Sequence, residues 1–461
     1  MFFAAIDFDG AFDRVKRSIL LKKLVLFGCG VAFVTSIGNM YRYSKCNIFG
    51  SDIETSYYLY SGIKQGLPLS PYLFLFYIND IHDYFDVFFA KVTNILEKLH
   101  ILVHADDLTV VALSRDLMMK KMKILLSYCR INDIKIQESK CKFIVINDKD
   151  GDRNPIPFVD GSTIKVSNNL DILGVFISEN KKEDNANHMK KRYHNVIRFF
   201  NYLKENKYAP LCVKLKVLQS CVISTLLYGC ETFGGNIPEG LEEIYFKLVK
   251  AAMGVRSNVP NYLSIIEAGM LPLKSLIWSR ELNYFRRFRH SLQENSIRKK
   301  LFEDLILQPS PYLQHYLYLD ENFESSKSIY EVHINKLKNE IRTKNNEELH
   351  YKFWIYLKMN PNLNKSPFLQ MPGTLAAACV RFRLGSHNLP IELGRWQRKK
   401  RIDRLCPNCN VLGDEMHYLF DCLLVNRDGL IFDRNLENVW KNENTLTIMQ
   451  QLIDAKYIEV N

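Results

Sequence analysis

The chain has 461 residues, 47% of them hydrophobic, with 62 Lys and Arg against 50 Asp and Glu for a formal net charge of +12. That is enough apolar material for a core of two or more domains, and it carries neither a signal peptide nor an apolar run of transmembrane length. A secreted or membrane-spanning protein is therefore not expected, nor a membrane partner; the expected location is the nucleus, the cytoplasm or both. The positive balance attracts phosphate backbone, with binding that weakens steeply as salt rises.

The first element is an apolar strand that ends in carboxylates, Phe3 to Val15, with Asp7, Asp9 and Asp13 along it. Asp13 precedes the amphipathic run Arg14 to Leu24 and reads as a helix N-cap in preference to a metal ligand, and Asp9 as a neighbour of the site. Next comes Ser61 to Pro71, a Gly/Pro-punctuated turn that opens an apolar helix over Tyr72 to Ile81. Gly66 there would let backbone approach a nucleotide, with Gln65 within hydrogen-bonding reach of a base or sugar; an ordinary loop before a core helix is the alternative.

His104-Ala105-Asp106-Asp107 lies between the apolar runs Ile101–Val103 and Leu108–Val111 and reads as a β-hairpin with two carboxylates at its tip. Such a pair is costly to bury unless a cation neutralises it. With Asp7 it supplies carboxylates from two separate strands, the arrangement that two-metal phosphoryl or nucleotidyl transfer requires. Asp7 and Asp106 would bridge the ions, and magnesium suits such carboxylate and phosphate oxygens.

Lys140 precedes a strand over Lys142 to Ile146, and a turn-rich connection follows at Asp150 to Pro157. Helical periodicity dominates from about Glu183 to Leu357, until Pro361, Pro367, Pro372 and Gly373 interrupt it. Basic and aromatic residues interleave at Lys190–Tyr193, Arg198–Phe200 and Tyr284–Arg289, suiting duplex contact or simply a solvated helix face. Eleven cysteines without a secretory signal point to reduced thiols. Cys406, Cys409, His417 and Cys422 form a C-x2-C-x7-H-x4-C pattern that fits a closed tetrahedral zinc site, buried free cysteines being the alternative. The preceding run Arg395 to Arg401 would contact nucleic acid, act in nuclear import, or form a charged helix face.

The succession Ala-Ile-Asp and Ala-Phe-Asp, Gly-Ile-Lys-Gln-Gly-Leu-Pro-Leu-Ser-Pro, then Ala-Asp-Asp resembles motifs A, B and C of a reverse transcriptase, more narrowly that of a non-LTR (LINE-like) retrotransposon. Leu170–Val175, with Gly174, is similar to motif E, Leu226–Thr232 to a thumb signature, and the Cys/His spacing to a C-terminal zinc knuckle. The resemblance implies an α+β fold: a right-hand palm of antiparallel sheet and packed helices, a helical thumb, a helical connector and a small zinc-binding module. The corresponding boundaries are 1–180, 181–275, 276–372 and 373–461.

It further implies an RNA-directed DNA polymerase that extends a DNA primer 3′-hydroxyl on an RNA template with a deoxynucleoside triphosphate. The catalytic carboxylates would be Asp7, Asp106 and Asp107 with two magnesium ions. Gln65 and Gly66 would line the nucleotide site, Phe12 would be the aromatic gate against a ribose 2′-hydroxyl, and Lys140 the motif D lysine that protonates pyrophosphate. Phe12 as core filler and Lys140 as a solvated side chain remain the alternatives. His104 replaces the usual bulky residue and reads as a tuning position. Met1 lies six residues before Asp7, so the fingers region that precedes motif A in the family is expected to be missing. The competing expectation is a catalytically inactive, truncated remnant that still grips nucleic acid.

Overall fold

β1 (Phe2–Ile6) lies at the centre of a sheet because both of its edges are used. Two hairpins follow it in sequence. The first is β2 (Lys45–Phe49) with β3 (Glu54–Tyr58); the second is β4 (Ile101–His104) with β5 (Asp107–Ala112). β6 (Lys142–Val145) closes a four-stranded sheet of order β4-β5-β1-β6, all neighbours antiparallel. Two short hairpins come next: β7 (Ile156–Pro157) with β8 (Thr163–Ile164), and β9 (Asn169–Ile172) with β10 (Val175–Ser178). The structure, a computed structural model, describes residues 1–49, 54–92, 94–146, 154–157, 163–178, 187, 191–194, 196–199, 201–202, 205–206, 209–294, 296–371, 373–428, 434–440 and 444–459.

Alternation along β1 sends Phe2, Ala4 and Ile6 to one face, where they join Leu108, Val110 and Phe143. The helices Ser70–Ile78, Ile81–Phe89 and Arg115–Ile131 cover that face with Leu73, Phe74, Phe85, Met122 and Leu125. The apolar run after Pro71 thus forms two helices, broken at Asn79 and Asp80, where a single one over Tyr72 to Ile81 was expected. The break has a polar cause. Asp80 accepts from the buried Lys23 ammonium at 2.7 Å and from the Tyr128 hydroxyl at 2.5 Å, and Lys23 also donates to the Tyr77 carbonyl at 2.6 Å. A buried ammonium needs such partners.

The first helix also starts later than the sequence suggests. It spans Arg17–Leu26, with Lys16 at the N-cap position and no side-chain cap, so Asp13 is not its cap. Val15 is buried and its carbonyl accepts the Gly62 N–H at 2.9 Å, which commits that residue to a loop-to-loop bond and not to a helical turn.

By its internal contacts the chain divides into two units, residues 1–185 with 292–308, and residues 186–291 with 309–461. In the N-terminal unit the helix Ile297–Leu307 packs on the short helix Ile95–Lys98. In the C-terminal unit one hydrophobic core runs from Val196 to Ile458 and draws on the helices Leu211–Val217, Leu241–Met253, Asn261–Ala268, Ser326–Thr343, Glu347–Met359, Thr374–Arg383 and Asn444–Asp454. Cys406, Tyr418, Leu419 and Cys422 belong to that core. The segment expected as a small module of its own therefore shares its interior with helices two hundred residues earlier. Of the turn-rich stretch Asp150 to Pro157, residues 150–153 lie outside the described residues, as do Lys190, Phe200 and Pro372.

Candidate active site and candidate metal centre

β1 and β5 pair with Ile6 opposite Leu108, and one more step of that register sets Asp7 against Asp107. On the other edge β6 pairs Lys142 with Ala5; the turn Glu138–Lys140 then interrupts the ladder, the Gln137 N–H donates to the Asp7 carbonyl at 2.8 Å, and the Lys140 Nζ lies 3.9 Å from the Asp7 carboxylate. These side chains alternate to the face opposite the helices, so they are open to solvent to different degrees. The β4–β5 turn is only Ala105 and Asp106, with His104 paired to Asp107. Ala105 is held at φ +53°, the left-handed region that such tight hairpin turns require and that glycine or asparagine ordinarily fills. The turn leaves Asp106 exposed at the tip beside Asp107.

The electrostatics follow from that crowding. The Asp107 carboxyl is raised above its ordinary value, first by partial burial and then by Asp106 and Asp7, with Asp171 adding to the effect and His104 opposing it. Like charges converging on one exposed face favour a cation between them. Among the described residues the carboxylates do not close into a cage. The group whose ligand atoms all lie within 4.8 Å of one another is the Cys/His cluster. Ions at Asp7, Asp106 and Asp107 would thus need further oxygens, which suits magnesium, an ion that is usually completed by water and phosphate. Asp171 sits on β9, which ends in the two-residue turn Leu173–Gly174 with both residues at positive φ. Sequence reading placed a motif there and missed its acid.

The expected nucleotide loop is tied to the chain just beyond Asp7. The Gly62 and Ile63 N–H groups donate to the carbonyls of Val15 and Phe12, each at 2.9 Å. Gly62 has φ +80°, and a Cβ there would sit 2.7 Å from the Asp13 carbonyl oxygen. Gln65 Nε2 donates to both Asp13 carboxylate oxygens, at 3.1 and 3.2 Å, which is where Asp13 is used in place of a cap. Gly66, at φ +82°, has open space where its Cβ would be. The Phe12 ring stacks on Phe74 of the following helix with centroids 5.1 Å apart. Asp9 is neutralised by Arg14 at 3.0 Å and Lys135 at 3.8 Å.

Arg17 is a second residue that sequence reasoning missed. Its guanidinium donates to four carbonyls, those of Gly62 at 2.9 Å, Ser61 at 3.0 Å, Tyr41 at 2.8 Å and Leu59 at 2.5 Å, and so fixes the loop that carries Gln65. Nothing in a run of alternating basic and apolar residues distinguishes it from its neighbours.

The basic clusters of the C-terminal unit differ in use. Arg192 lies over the Tyr228 ring at 4.5 Å, and Tyr193 is exposed. Arg286 and Arg289 are both taken up by Asp320, the first at 2.6 Å, while Phe285 is buried. That stretch of the helix Leu273–His290 thus combines an internal contact with the exposed side chains of Tyr284, Arg287 and Arg289. In the run before the cysteines, Arg395 pairs with Glu392 at 3.3 Å and Arg401 with Glu347, leaving Trp396 exposed.

The Cys406, Cys409, His417 and Cys422 ligand atoms lie within 4.8 Å of one another, all buried except the half-buried Cys409. A turn closed by Cys406 N–H to Val411 carbonyl at 2.7 Å presents the first two, and the helix Glu415–Phe420, capped by Asp414 on the His417 N–H at 3.0 Å, presents the third. Cys406 and Cys422 Sγ are 3.7 Å apart. Burial raises the Cys406 thiol, but the Tyr418 hydroxyl, the Asn408 and Cys409 N–H groups and His417 together outweigh it and hold it down to about 6. Burial pushes Cys422 up to about 12. Among the described residues His417 Nε2 is buried with no hydrogen-bond partner. An orphaned imidazole nitrogen among three thiols, two of which accept hydrogen bonds from Tyr418 and the Leu423 N–H, fits a tetrahedral soft-metal site.

A telomerase structure from Candida albicans, in complex with a TWJ fragment of telomeric RNA, is similar at 12% identity over 74% of this chain and 48% of that one, with a TM-score of 0.27. This chain thus spans about half the length of that telomerase chain, and the score is too low to establish a common architecture. Over residues 1–177, the stretch that holds the carboxylate strands, the Gly62 loop and Lys140, the chain matches the family model of reverse transcriptase (RNA-dependent DNA polymerase).

Proposed function

We propose that the chain is an RNA-directed DNA polymerase of the non-LTR retrotransposon type, joining a deoxynucleoside triphosphate to a DNA primer on an RNA template. The observation that carries this reading is the convergence of Asp7 and Asp106 on Asp107 just past the last β1–β5 pair, with the Lys140 Nζ 3.9 Å from Asp7. Asp7, Asp106 and Asp107 would hold two magnesium ions. When bound, such ions activate the primer hydroxyl and offset charge on the leaving group.

The chain's own groups then have separate tasks. Lys140, whose Nζ lies 3.9 Å from Asp7, donates a proton to departing pyrophosphate. Phe12, braced against Phe74, forms the floor beneath the sugar and excludes a 2′-hydroxyl. Gln65, oriented by Asp13, and the unobstructed backbone of Gly66 border the nucleotide. Cys406, Cys409, His417 and Cys422 would hold one structural zinc ion.

The test is magnesium-dependent incorporation of deoxynucleotides on a primed RNA template by the full chain and by its Asp106→Ala, Asp107→Ala variant. Incorporation by the parent alone is expected. Equal incorporation by both, with the variant folded, would remove these aspartates from the reaction; RNA binding without incorporation by either would favour a non-catalytic nucleic-acid-binding protein.

A further inference from the structure

The C-terminal unit contains a cavity of about 990 Å³ that the polymerase reading does not use. It is lined in part by the helix Leu241–Met253 and by Lys214 of the helix Leu211–Val217. Five cations border it, Lys214, Lys247, Lys250, Arg256 and Arg381, against two acids, Glu243 and Glu459. Some of that charge is accounted for within the fold. Arg256 lies 3.6 Å from Glu459, Lys250 donates to the Ser257 carbonyl at 2.8 Å, and Arg381 donates to the Gly254 carbonyl at 2.6 Å.

Lys214 is not accounted for. It is only 8% exposed, yet among the described residues its ammonium has neither a hydrogen-bond nor an ion-pair partner. The stem is buried while the nitrogen itself is not sealed off, so the ammonium opens onto the cavity and stays available to an occupant there. Burial lowers its proton affinity, and the nearby Arg381 lowers it further. An anion in the cavity would relieve both effects at once. The lining also includes the aromatic rings of Tyr193 and Phe246 and the side chain of Met253, apolar surface on which a flat ring system can lie.

We propose that this cavity is a binding site for a nucleoside phosphate, with the phosphate on Lys214 and the base on the apolar wall. Free nucleotide and the phosphorylated end of a strand present the same chemistry, and both fit a space of this size.

The experiment is calorimetric titration of the full chain, without added magnesium, with adenosine 5′-monophosphate, adenosine, and a 5′-phosphorylated tetradeoxynucleotide. The Lys214→Met variant, which keeps the apolar stem, and Lys214→Arg, which keeps the charge, are titrated alongside. Expected are saturable binding of one or both phosphorylated probes, no binding of adenosine, loss of at least tenfold in affinity in Lys214→Met, and substantial recovery in Lys214→Arg. Binding of the monophosphate assigns the site to free nucleotide, and binding of the oligonucleotide alone assigns it to a strand end. A thermal scan keeps the result interpretable, since Lys214→Met should melt no lower than the parent without ligand and should lose the rise that the probe produces. Failure of both phosphorylated probes to bind, or binding that Lys214→Met leaves intact, would overturn the proposal without touching the polymerase reading.

Discussion

Replacing Gly62 by alanine tests whether the nucleotide loop is held by close backbone approach. An L-residue at φ +80° costs about 1 kcal/mol relative to glycine. The added methyl would also meet the Asp13 carbonyl oxygen at 2.7 Å, and because that atom is backbone the loop must move. Movement endangers the Gly62-to-Val15 and Ile63-to-Phe12 hydrogen bonds, each worth about 1 kcal/mol. The total is about 3 to 4 kcal/mol, which for a unit of this size corresponds to a melting shift of roughly 6 to 16 °C. Gly66→Ala is the comparison: at φ +82° with open space around it, only the backbone cost applies, about 1 kcal/mol or roughly 2 to 4 °C. Differential scanning calorimetry of both variants separates the two cases. If the variants melt together, the close approach at Asp13 does not constrain the loop and the reasoning fails. In primer extension, Gly62→Ala should also raise the KM for nucleotide, because the displaced segment carries Gln65.

Three further outcomes are expected. Arg383 and Glu267 form a pair at 2.7 Å, 3% and 0% exposed; Arg383→Met should destabilise the C-terminal unit by about 3–5 kcal/mol in denaturant unfolding, and adding Glu267→Gln should recover most of it because the amide still accepts from Tyr356. Chelation should release about one zinc per chain and expose the stretch from Cys406 to Cys422 to protease, while amides of the helix Leu241–Met253 stay protected from hydrogen exchange; purified protein without metal would contradict this. The raised Asp107 carboxyl means that the folded state holds its proton more tightly than the unfolded chain does, so its ionisation weakens the fold as pH rises through and above the carboxylate range. Asp107→Asn should therefore raise the metal-free melting temperature at pH 7 and lose that advantage on acidification below the carboxylate range, and an unchanged difference across pH would disprove it.

The meeting of the carboxylate-bearing strands was legible because its signals are local. Apolar runs stop at Asp7 and at Asp106, and two-residue periodicity alone orients the strands that carry them. The same locality misplaced Asp13. Cap preference reads one residue against the run that follows, whereas here the helix is delayed to Arg17 by a bond from Gly62, forty-seven residues after Val15. The cation at Arg17 was hidden for a similar reason: its four acceptors come from Tyr41 and from Leu59 to Gly62, and no pattern around Arg17 announces them. The Cys/His spacing identified a candidate ligand set without showing its surroundings. Cys406 and Cys422 share a core with Leu218 and Tyr245, and contacts at that separation leave no periodic trace in either segment.

That shared core bears on the order in which the chain can mature during synthesis. Leu218, Tyr245 and Val249 pack in the same interior as Ile448, Met449, Leu452 and Ile458, so helices made near the middle of the chain wait for its last described segment before their apolar faces are covered. A ribosome that stalls after Arg383 would leave an exposed, sticky half-interior, a state prone to chaperone capture or aggregation. The strands carrying Asp7 and Asp107 fall in the other unit, whose last residue is Gln308. Interrupted translation should therefore yield a polypeptide whose carboxylate sheet is assembled while its basic C-terminal half is not, and quality control would act on the second half first.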